Sequence, residues 1–595
     1  MDAKYGFLLL CLLALTDAAG NLCCSYPCQH GGFCLTEGFD KYICDCTGTE
    51  FYGRHCENPI LSRRIKLWLK PRPSTMHNLL TNYEWLWNIV NNIPFLRNFI
   101  MKNIILMRAG LIDSPPQYDN EHTYITLDAN FNHSFYTRTL PPVPLDCPTP
   151  MGVAGRKDLP DLDVLANKLL LREKFKPDQR GTSLLFPFMA QHFTHMFIKT
   201  DMKRGPQFQW GGHGLDVSHI YGEDKHDEDL LRSFVDGKFK LQTINNEEWP
   251  LYNTDVNMTL NFFGFVPAME NNSFALGHSF FNNFPGLFMF STIWMREHNR
   301  ICDIMKKEHP EWNDERLYQT GKLIVLGETM KIVTEEYIQH LSNYHFQILY
   351  KPELLFDVPF QYQNRIALEF NHLYHWHPLI PDDFSFGGTN YTLKNLLGNP
   401  ALVIKHGMSS FVDSLSKQIA GRFTVRNHPH FGVKVAKNVI KHGRELRLQS
   451  YNNYRKRFNL QPFQSFEQLT GNKKLAKELE TLYGDIDGVE FYVGLLSEKL
   501  RPKALFSETM MELGSPFSLK GLMSNPLSSP KYWKPSTFGG AVGFDLVKSA
   551  TLKKLFCQNI NGDCPEVTFR VPGFVESQGE AEDESLRNCP EHGEL

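Results

Sequence analysis

The spacing of apolar residues predicts a helical body for most of this 595-residue chain. Between Leu162 and Val571, apolar positions recur at three- and four-residue intervals, whereas the strictly alternating runs typical of strands are few. Glycine and proline mark the loops between these segments. We therefore predict a mainly α fold, with one large helical domain.

The segment from Ser62 to Leu111 has a different pattern. Its apolar positions lie near helical spacing, and Pro71, Pro73 and Pro94 should divide it into short helices. Aromatic side chains stand among its basic residues: Trp68, Trp85, Trp87, Phe95 and Phe99. Such helices either lie in a membrane interface or pack on the protein's own core, and the repeated tryptophans favour the membrane.

The two ends of the chain carry the marks of the secretory pathway. Residues 1–20 combine a lysine, a short apolar run and small residues, which is the pattern of a cleaved signal peptide and too short for a membrane anchor. The final residues, His592 to Leu595, read HGEL and are similar to an endoplasmic-reticulum retention signal. We therefore predict that the protein is located in the lumen of the endoplasmic reticulum. Four sequons agree with this location: Asn132, Asn257, Asn271 and Asn390.

Composition adds two limits. An apolar fraction of 42% is ample for a substantial core. A net charge of −3, without a long basic block, gives no indication of nucleic-acid binding.

Cysteines are concentrated near the start of the chain. Seven of the thirteen fall between Cys23 and Cys56, and this density is typical of a small disulfide-stapled module. Their spacing resembles an epidermal-growth-factor-like domain. Six would close within the module and one is left over, so we predict that Cys24 pairs with Cys147 and ties the module to the body.

The run EFNHLYHWHPL, residues 369–379, carries the first candidate chemistry. Tyr374 stands three residues before His377, nearly one helical turn, so phenol and imidazole could share a helix face. Pro378 should keep His377 at or near a helix end. If His377 ligates a haem iron, Tyr374 lies near the cofactor and could lose an electron to it. The alternative is an ordinary core segment, which is the commoner role of such a run.

A second histidine-bearing segment, AQHFTHMF, offers the opposite face of such a site. Gln191 and His195 are four residues apart and share one helix face, while His192 points elsewhere. A histidine there could take the proton of a hydroperoxide and return it, while the amide polarises the O–O bond. The alternative is a polar pair on a helix surface. The body contains no zinc signature.

Arg108 lies in the apolar run ILMRAGL. It is either a surface arginine whose stem lies along apolar neighbours or a carboxylate anchor at the mouth of an apolar tunnel. A fatty acid is the substrate that would need both the tunnel and the charge.

Together these motifs resemble the prostaglandin H synthases, or cyclooxygenases, of the animal haem peroxidase superfamily. The segments EEYIQHLSNY (335–344) and GSPFSLKGL (514–522) extend the match, which covers residues 22 to 575. The resemblance implies five parts in order: a signal peptide (1–20), an EGF-like domain (21–57), monotopic membrane-binding helices (58–111), a haem peroxidase and cyclooxygenase domain (112–575) and a tail (576–595).

The resemblance also implies an activity. A bifunctional enzyme of this kind converts arachidonic acid and two O2 to prostaglandin G2 and reduces it to prostaglandin H2, the first committed step of prostaglandin biosynthesis. Such an enzyme binds one haem b per subunit and needs a reducing cosubstrate for the peroxidase reaction. It binds to one leaflet of a membrane and forms a homodimer.

Residue roles follow from the same resemblance. His377 would be the axial haem ligand, Gln191 and His195 the distal peroxidase pair, and Tyr374 the radical that abstracts hydrogen from the fatty acid. Further residues would bind or orient the substrate: Arg108, Tyr344, Tyr337, Ile338, Trp376, Met511, Glu512 and Ser518. Ser518 would also be the serine that aspirin-like acylators modify.

The implied disulfides are Cys23–Cys34, Cys28–Cys44, Cys46–Cys56, Cys24–Cys147 and Cys557–Cys564. This pairing leaves Cys302 and Cys589 beyond the signal peptide.

Two channel residues depart from the family pattern. Met511 stands where valine or isoleucine is general, so the side pocket beside Arg501 should differ in shape. Ile338 stands where valine is usual, and one methylene changes binding by about 1 kcal/mol. We predict that Ile338 changes the pose of the fatty-acid tail and gives a product of 15R stereochemistry.

Three alternatives stay open from the residues alone. A simple haem peroxidase, or a fatty-acid dioxygenase that stops at the hydroperoxide, would keep His377 and His195 but would not need Arg108 or the membrane helices. An adhesion protein with an inert body would bind no haem at all.

Overall fold

The computed structural model describes residues 21–38, 40–256, 258 and 273–575. The predicted signal peptide and tail, Asn257, Asn271 and Cys589 lie outside the described residues. The other two sequon residues, Asn132 and Asn390, are exposed.

The N-terminal module contains little apolar core of its own. After a short 3-10 helix it forms two antiparallel ribbons, whose strands are β1 Phe33–Glu37, β2 Lys41–Asp45, β3 Phe51–Tyr52 and β4 Asn58–Pro59. Three cysteines and one phenylalanine make up its buried cluster: Cys28, Cys44, Cys56 and Phe51. Because so small a module buries little apolar surface, disulfides supply most of its constraint.

The structure contains each of the five predicted disulfides. Three of them close the module: Cys23–Cys34, Cys28–Cys44 and Cys46–Cys56. Cys24–Cys147 joins the module to the body, and Cys557–Cys564 closes a loop near the end of the described chain. Cys302 is free and buried.

Four helices follow the module: α1 Leu61–Leu69, α2 Pro73–Asn82, α3 Glu84–Asn92 and α4 Pro94–Ala109. Prolines occupy the first positions of α2 and α4, where a missing N–H costs nothing, so the predicted division into short helices is correct. Trp87 and Ile105 are buried in the main core, whereas Trp68 and Phe95 are 83% and 82% exposed. Among the described residues, no helix combines the length and apolar character needed to cross a membrane.

The rest of the described chain is mainly helical, as predicted, and the elements below are those of the described residues. Its helices are α5 Asp128–Phe131, α6 Leu162–Leu165, α7 Leu185–Thr194, α8 Ser218–Tyr221, α9 Lys225–Leu231, α10 Asn253–Val256, α11 Pro285–Glu308, α12 Asp314–Ile332, α13 Ile338–Ser342, α14 Leu368–Leu373, α15 Leu393–Leu396, α16 Ala401–His406, α17 Met408–Lys417, α18 His430–Glu445, α19 Tyr451–Arg457, α20 Phe466–Thr470, α21 Lys473–Tyr483, α22 Phe491–Ser497, α23 Glu508–Met523, α24 Ala541–Ser549 and α25 Leu552–Cys557. Two antiparallel ribbons interrupt them: β5 Leu241–Ile244 with β6 Glu247–Pro250, and β7 Asp383–Phe386 with β8 Thr389–Thr392.

Helix α11 lies at the centre of the core. It is apolar around its whole circumference in the first half, and every residue from Pro285 to His298 is buried. It contacts both α12 and α7. Helix α7, which ends just before His195, therefore packs against a helix whose first half is buried.

A widened helical turn leads out of α12. Residues Val333–Tyr337 form a π-helical turn, and α13 begins at Ile338. Such turns insert an extra residue per turn and occur often at functional sites. Here the turn ends at Tyr337 and the next residue is Ile338, and both are predicted to line the channel.

Candidate active site

Tyr374 and His377 are placed by the end of a helix, not by a shared helical face. Helix α14 ends at Leu373, Tyr374 caps it, and His377 begins a separate 3-10 turn. The prediction that both lie on one helical turn is therefore wrong, because the chain leaves the helix between them. Pro378 predicted that His377 lies at or near a helix end, but in the structure α14 ends at Leu373 and His377 is the first residue of the 3-10 turn that contains Pro378.

Trp376 fixes the position of the Tyr374 ring. The two rings stack with centroids 4.4 Å apart, and the Trp376 indole N–H donates a hydrogen bond of 2.6 Å to the Leu373 carbonyl. Burial raises the pKa of Tyr374, although the hydroxyls of Tyr337 and Ser518 lower it in part. The phenol is therefore protonated at neutral pH, and its oxidation must release a proton as well as an electron.

His195 lies just beyond the last residue of α7. Its Nδ1 is 2.7 Å from the backbone carbonyl oxygen of Gln191. Because a carbonyl only accepts, Nδ1 carries the proton and Nε2 is left as the basic nitrogen. Burial lowers the pKa of His195 to about 4. The imidazole is thus neutral at physiological pH and able to accept a proton.

Gln191, His195 and His377 line one cleft, together with Tyr374 and Trp376. Burial lowers the pKa of His377 well below its usual value, so the ring is neutral, as a metal ligand must be. Its Nδ1 is buried without a hydrogen-bond partner among the described residues.

The remaining walls of the cleft are mostly apolar or aromatic, and reasoning from sequence did not find them. The apolar and aromatic ones are Pro187, Ala190, Ile198, Phe280, Phe284, Ile380, Phe431 and Val435, and the polar ones are Thr194, Asn283, Asn371 and His375. The ring of Phe280 stacks on His195 at 4.5 Å. A neutral imidazole at one side, a basic nitrogen at the other and apolar walls between them fit a flat macrocycle such as haem.

A second cavity, of about 220 Å³, begins beside the first and runs to the short helices α1, α2 and α4. It brings together Tyr374 and all eight residues predicted to bind or orient a substrate: Arg108, Tyr337, Ile338, Tyr344, Trp376, Met511, Glu512 and Ser518. The other lining residues are largely apolar. The cavity is therefore a channel for a long apolar molecule.

The mouth of the channel carries an ion pair. Arg108, in the last turn of α4, contacts both carboxylate oxygens of Glu512, with Nη2 and Oε1 3.1 Å apart. Although burial raises the pKa of Glu512, the charge of Arg108 holds it below its usual value. Tyr344 and Lys70 border the same space. Of the two interpretations of Arg108, the structure favours a charge at a tunnel mouth.

Tyr374 and Trp376 border both cavities. These two side chains are therefore shared by a cleft that fits haem and a channel that fits a fatty acid. An electron hole formed in the cleft could therefore reach the channel through Tyr374.

Comparison with known proteins agrees with this geometry. The animal haem peroxidase family matches residues 206–563. Prostaglandin G/H synthase 2 of Oryctolagus cuniculus is 54% identical over 95% of this chain and 93% of its own length. The chain belongs to the prostaglandin G/H synthase family. Prostaglandin G/H synthase 1 of Rattus norvegicus is 51% identical over 95% of this chain and 94% of its own.

As a member of the prostaglandin G/H synthase family, the protein is a haem-binding oxidoreductase with cyclooxygenase and peroxidase activity. This confirms the predicted family, fold class and enzyme class. The inert-body and simple-peroxidase alternatives are not supported. A fatty acid alpha-dioxygenase of Oryza sativa has a TM-score of 0.61 at 18% identity, over 84% of this chain and 96% of that one, and shares the fold alone.

Proposed function

We propose that the enzyme oxygenates arachidonic acid with two O2 to prostaglandin G2 and reduces it to prostaglandin H2 through a radical on Tyr374. The observation that carries this proposal is that Tyr374 borders both the cleft with the two histidines and the apolar channel. One oxidisable side chain can then serve two sites.

In the cleft, His195 is the proton carrier. Its Nε2 takes the proton of the hydroperoxide and returns it to the leaving alkoxide, and the Gln191 amide lies beside it to polarise the O–O bond. His377 is the residue that would hold haem b through its iron. Bound haem would supply the redox chemistry of the cleft, namely cleavage of the O–O bond and one-electron oxidation of Tyr374.

In the channel, Arg108 binds the fatty-acid carboxylate and Tyr344 lies beside it. The apolar wall, including Ile338 and Met511, receives the tail. Tyr374, after losing an electron and its proton, abstracts a hydrogen atom from the fatty acid and becomes a phenol again. Trp376 keeps the ring in place by stacking on it.

The wall also bears on the product. Ile338 follows directly on Tyr337 at the exit of the π-helical turn, so its side chain borders the channel close to the proposed radical. This position supports the proposal that Ile338 directs the second oxygen insertion and gives the 15R product.

The protein's surroundings are proposed on separate grounds. The exposed aromatic face of α1 and α4, with Trp68 and Phe95, supports binding to one membrane leaflet. The predicted signal peptide and HGEL end support the lumen of the endoplasmic reticulum. The exposed sequons Asn132 and Asn390 would be glycosylated there, and the enzyme would act as a homodimer with one haem b per subunit.

Oxygen uptake by the haem-loaded enzyme with arachidonate tests the function. We expect two O2 per fatty acid and an endoperoxide alcohol as the product when a phenolic reductant is present. One O2 per fatty acid and a linear hydroperoxide would show a dioxygenase without endoperoxide formation. No oxygen uptake, with alkyl hydroperoxide still reduced, would show a peroxidase alone.

A further inference from the structure

A buried lysine lies behind the distal histidine. The side chain of Lys199 is only 1% exposed. Its Nζ donates a hydrogen bond of 2.7 Å to the Ser218 hydroxyl and pairs with Oε2 of Glu223. The ammonium also lies 5.1 Å from the centre of the Trp210 ring. Among the described residues, Glu223 is the carboxylate that pairs directly with this cation, which has almost no contact with water.

The other oxygen of Glu223 faces His278. Oε1 is buried and has no hydrogen-bond partner among the described residues, and His278 Nε2 is 3.9 Å away. His278 Nδ1 accepts a hydrogen bond of 3.3 Å from the Phe280 N–H. The neutral ring of His278 therefore carries its proton on Nε2, beside the carboxylate, where it supports negative charge.

This cluster contacts the proposed peroxidase base. The rings of His278 and His195 are 5.3 Å apart and meet edge to face. Burial is the main cause of the low pKa of His195, and the positive charge of Lys199 lowers it further. The charge balance between Lys199 and Glu223 thus affects how well His195 holds a proton.

Glu223 is able to change that balance near neutral pH. Burial raises the pKa of Glu223 to about 7, against the opposing effect of Lys199, and the carboxylates Asp216 and Asp227 raise it further. Burial keeps His278 neutral, because its pKa is lowered well below the usual value. Of the pair, Glu223 is the member whose charge changes in the physiological range.

We propose that Glu223 is a positioning residue for the peroxidase reaction: its carboxylate cancels the buried charge of Lys199 and so allows His195 to take the proton of the hydroperoxide. The inference rests on the proposed role of His195. The proton moves from the peroxide oxygen to His195 Nε2 and then to the leaving alkoxide, and Glu223 exchanges no atom with the substrate. When Glu223 is protonated, Lys199 loses its ion-pair partner, and its buried positive charge disfavours the imidazolium.

The test is the pH dependence of hydroperoxide reduction by the haem-loaded enzyme between pH 5.5 and 8.5. We expect a rate that falls about three- to tenfold as pH drops through 7, since one pKa unit at the base corresponds to tenfold. Glu223→Gln should react at the low-pH rate throughout this range, so its rate should not change near pH 7. The double variant Lys199→Met, Glu223→Gln lacks both charges of the pair. It should recover the higher rate, again without a change near pH 7.

A binding measurement separates this effect from turnover. Hydrogen cyanide binds haem as the anion and must leave its proton on a base in the cleft, so its affinity, followed by the Soret band, should show the same step in the native enzyme and none in Glu223→Gln. Asp545→Asn removes the carboxylate of an exposed pair with Lys548 and is the matched control, with the step retained.

Two outcomes would overturn the inference. One is a step near pH 7 that persists in Glu223→Gln, and the other is a double variant no faster than the single one, which would indicate a structural role. Full peroxidase activity in His195→Ala would instead show that the proposed base itself is wrong.

Discussion

The ion pair at the channel mouth yields a prediction in which binding and stability respond differently. Arg108→Gln removes the proposed carboxylate anchor. A hydrogen bond to a charged group contributes about 1.5–3 kcal/mol, so the KM for arachidonate should rise about 10- to 150-fold. The kcat should change little, because Arg108 pairs with Glu512, whereas Tyr374, the residue that abstracts hydrogen, packs on Trp376.

The same substitution leaves Glu512 buried and unpaired. Removing one partner of a buried pair costs about 3–5 kcal/mol, and we expect the lower value because both side chains border a cavity. The pKa of Glu512 is lowered in the native fold. The pair therefore stabilises the fold above the usual carboxyl pKa, and this contribution is lost as pH falls through the lowered value.

Oxygen uptake and thermal unfolding together separate the two effects. Arg108→Gln, Glu512→Gln should regain stability, because neither member of the ion pair is left without its partner, but should keep the high KM. The methyl ester of arachidonic acid is the matched substrate, since it has no carboxylate and should lose little affinity in either variant. An equal rise in KM for acid and ester, or none for the acid, would refute the anchor.

Three further predictions concern single side chains. His377→Ala should abolish the Soret band after haem addition, and a native band would exclude this residue as the ligand. His195→Ala should keep the Soret band and lose about 10²- to 10⁴-fold in peroxidase rate; in the native enzyme that rate should also fall on acidification through pH 4, because the base is neutral only above its pKa of about 4. Ile338→Val should shift the product from 15R towards 15S on chiral chromatography, and identical product from both enzymes would end the stereochemical proposal.

Local patterns predicted the parts of the fold that local chemistry controls. Pro73 and Pro94 start α2 and α4, where the sequence indicated breaks. The cysteine ladder gave the stapled module, and the leftover Cys24 pairs with Cys147 as predicted. The histidines that border the cleft were visible because each stands in a short run of unusual composition.

Long-range packing could not be predicted in the same way. Phe280 and Phe284 wall the cleft together with Phe431, which is far from them in sequence. An apolar residue in a helical pattern carries no mark of the cavity it faces. The end of α14 at Leu373 was missed because nothing local forbids the helix from continuing to Tyr374.

The cluster behind His195 shows the same limit for charged residues. Lys199 and Glu223 read as ordinary surface residues in the sequence, 24 positions apart. Their burial against His278, and hence their electrostatic effect, depends on the packing of three separate segments. Only the folded structure reveals that this lysine is desolvated.

Tyr374 is the proposed link between the two cavities. The variant Tyr374→Phe tests this link when peroxidase rate and oxygen uptake are measured on one preparation. Phenylalanine keeps the stacking on Trp376 but removes the oxidisable hydroxyl, so haem binding and peroxidase rate should stay near native. Oxygen uptake with arachidonate should disappear. Retained oxygenation would show that the radical lies elsewhere, and loss of both activities would show that Tyr374 supports the structure of the site instead of connecting its two halves.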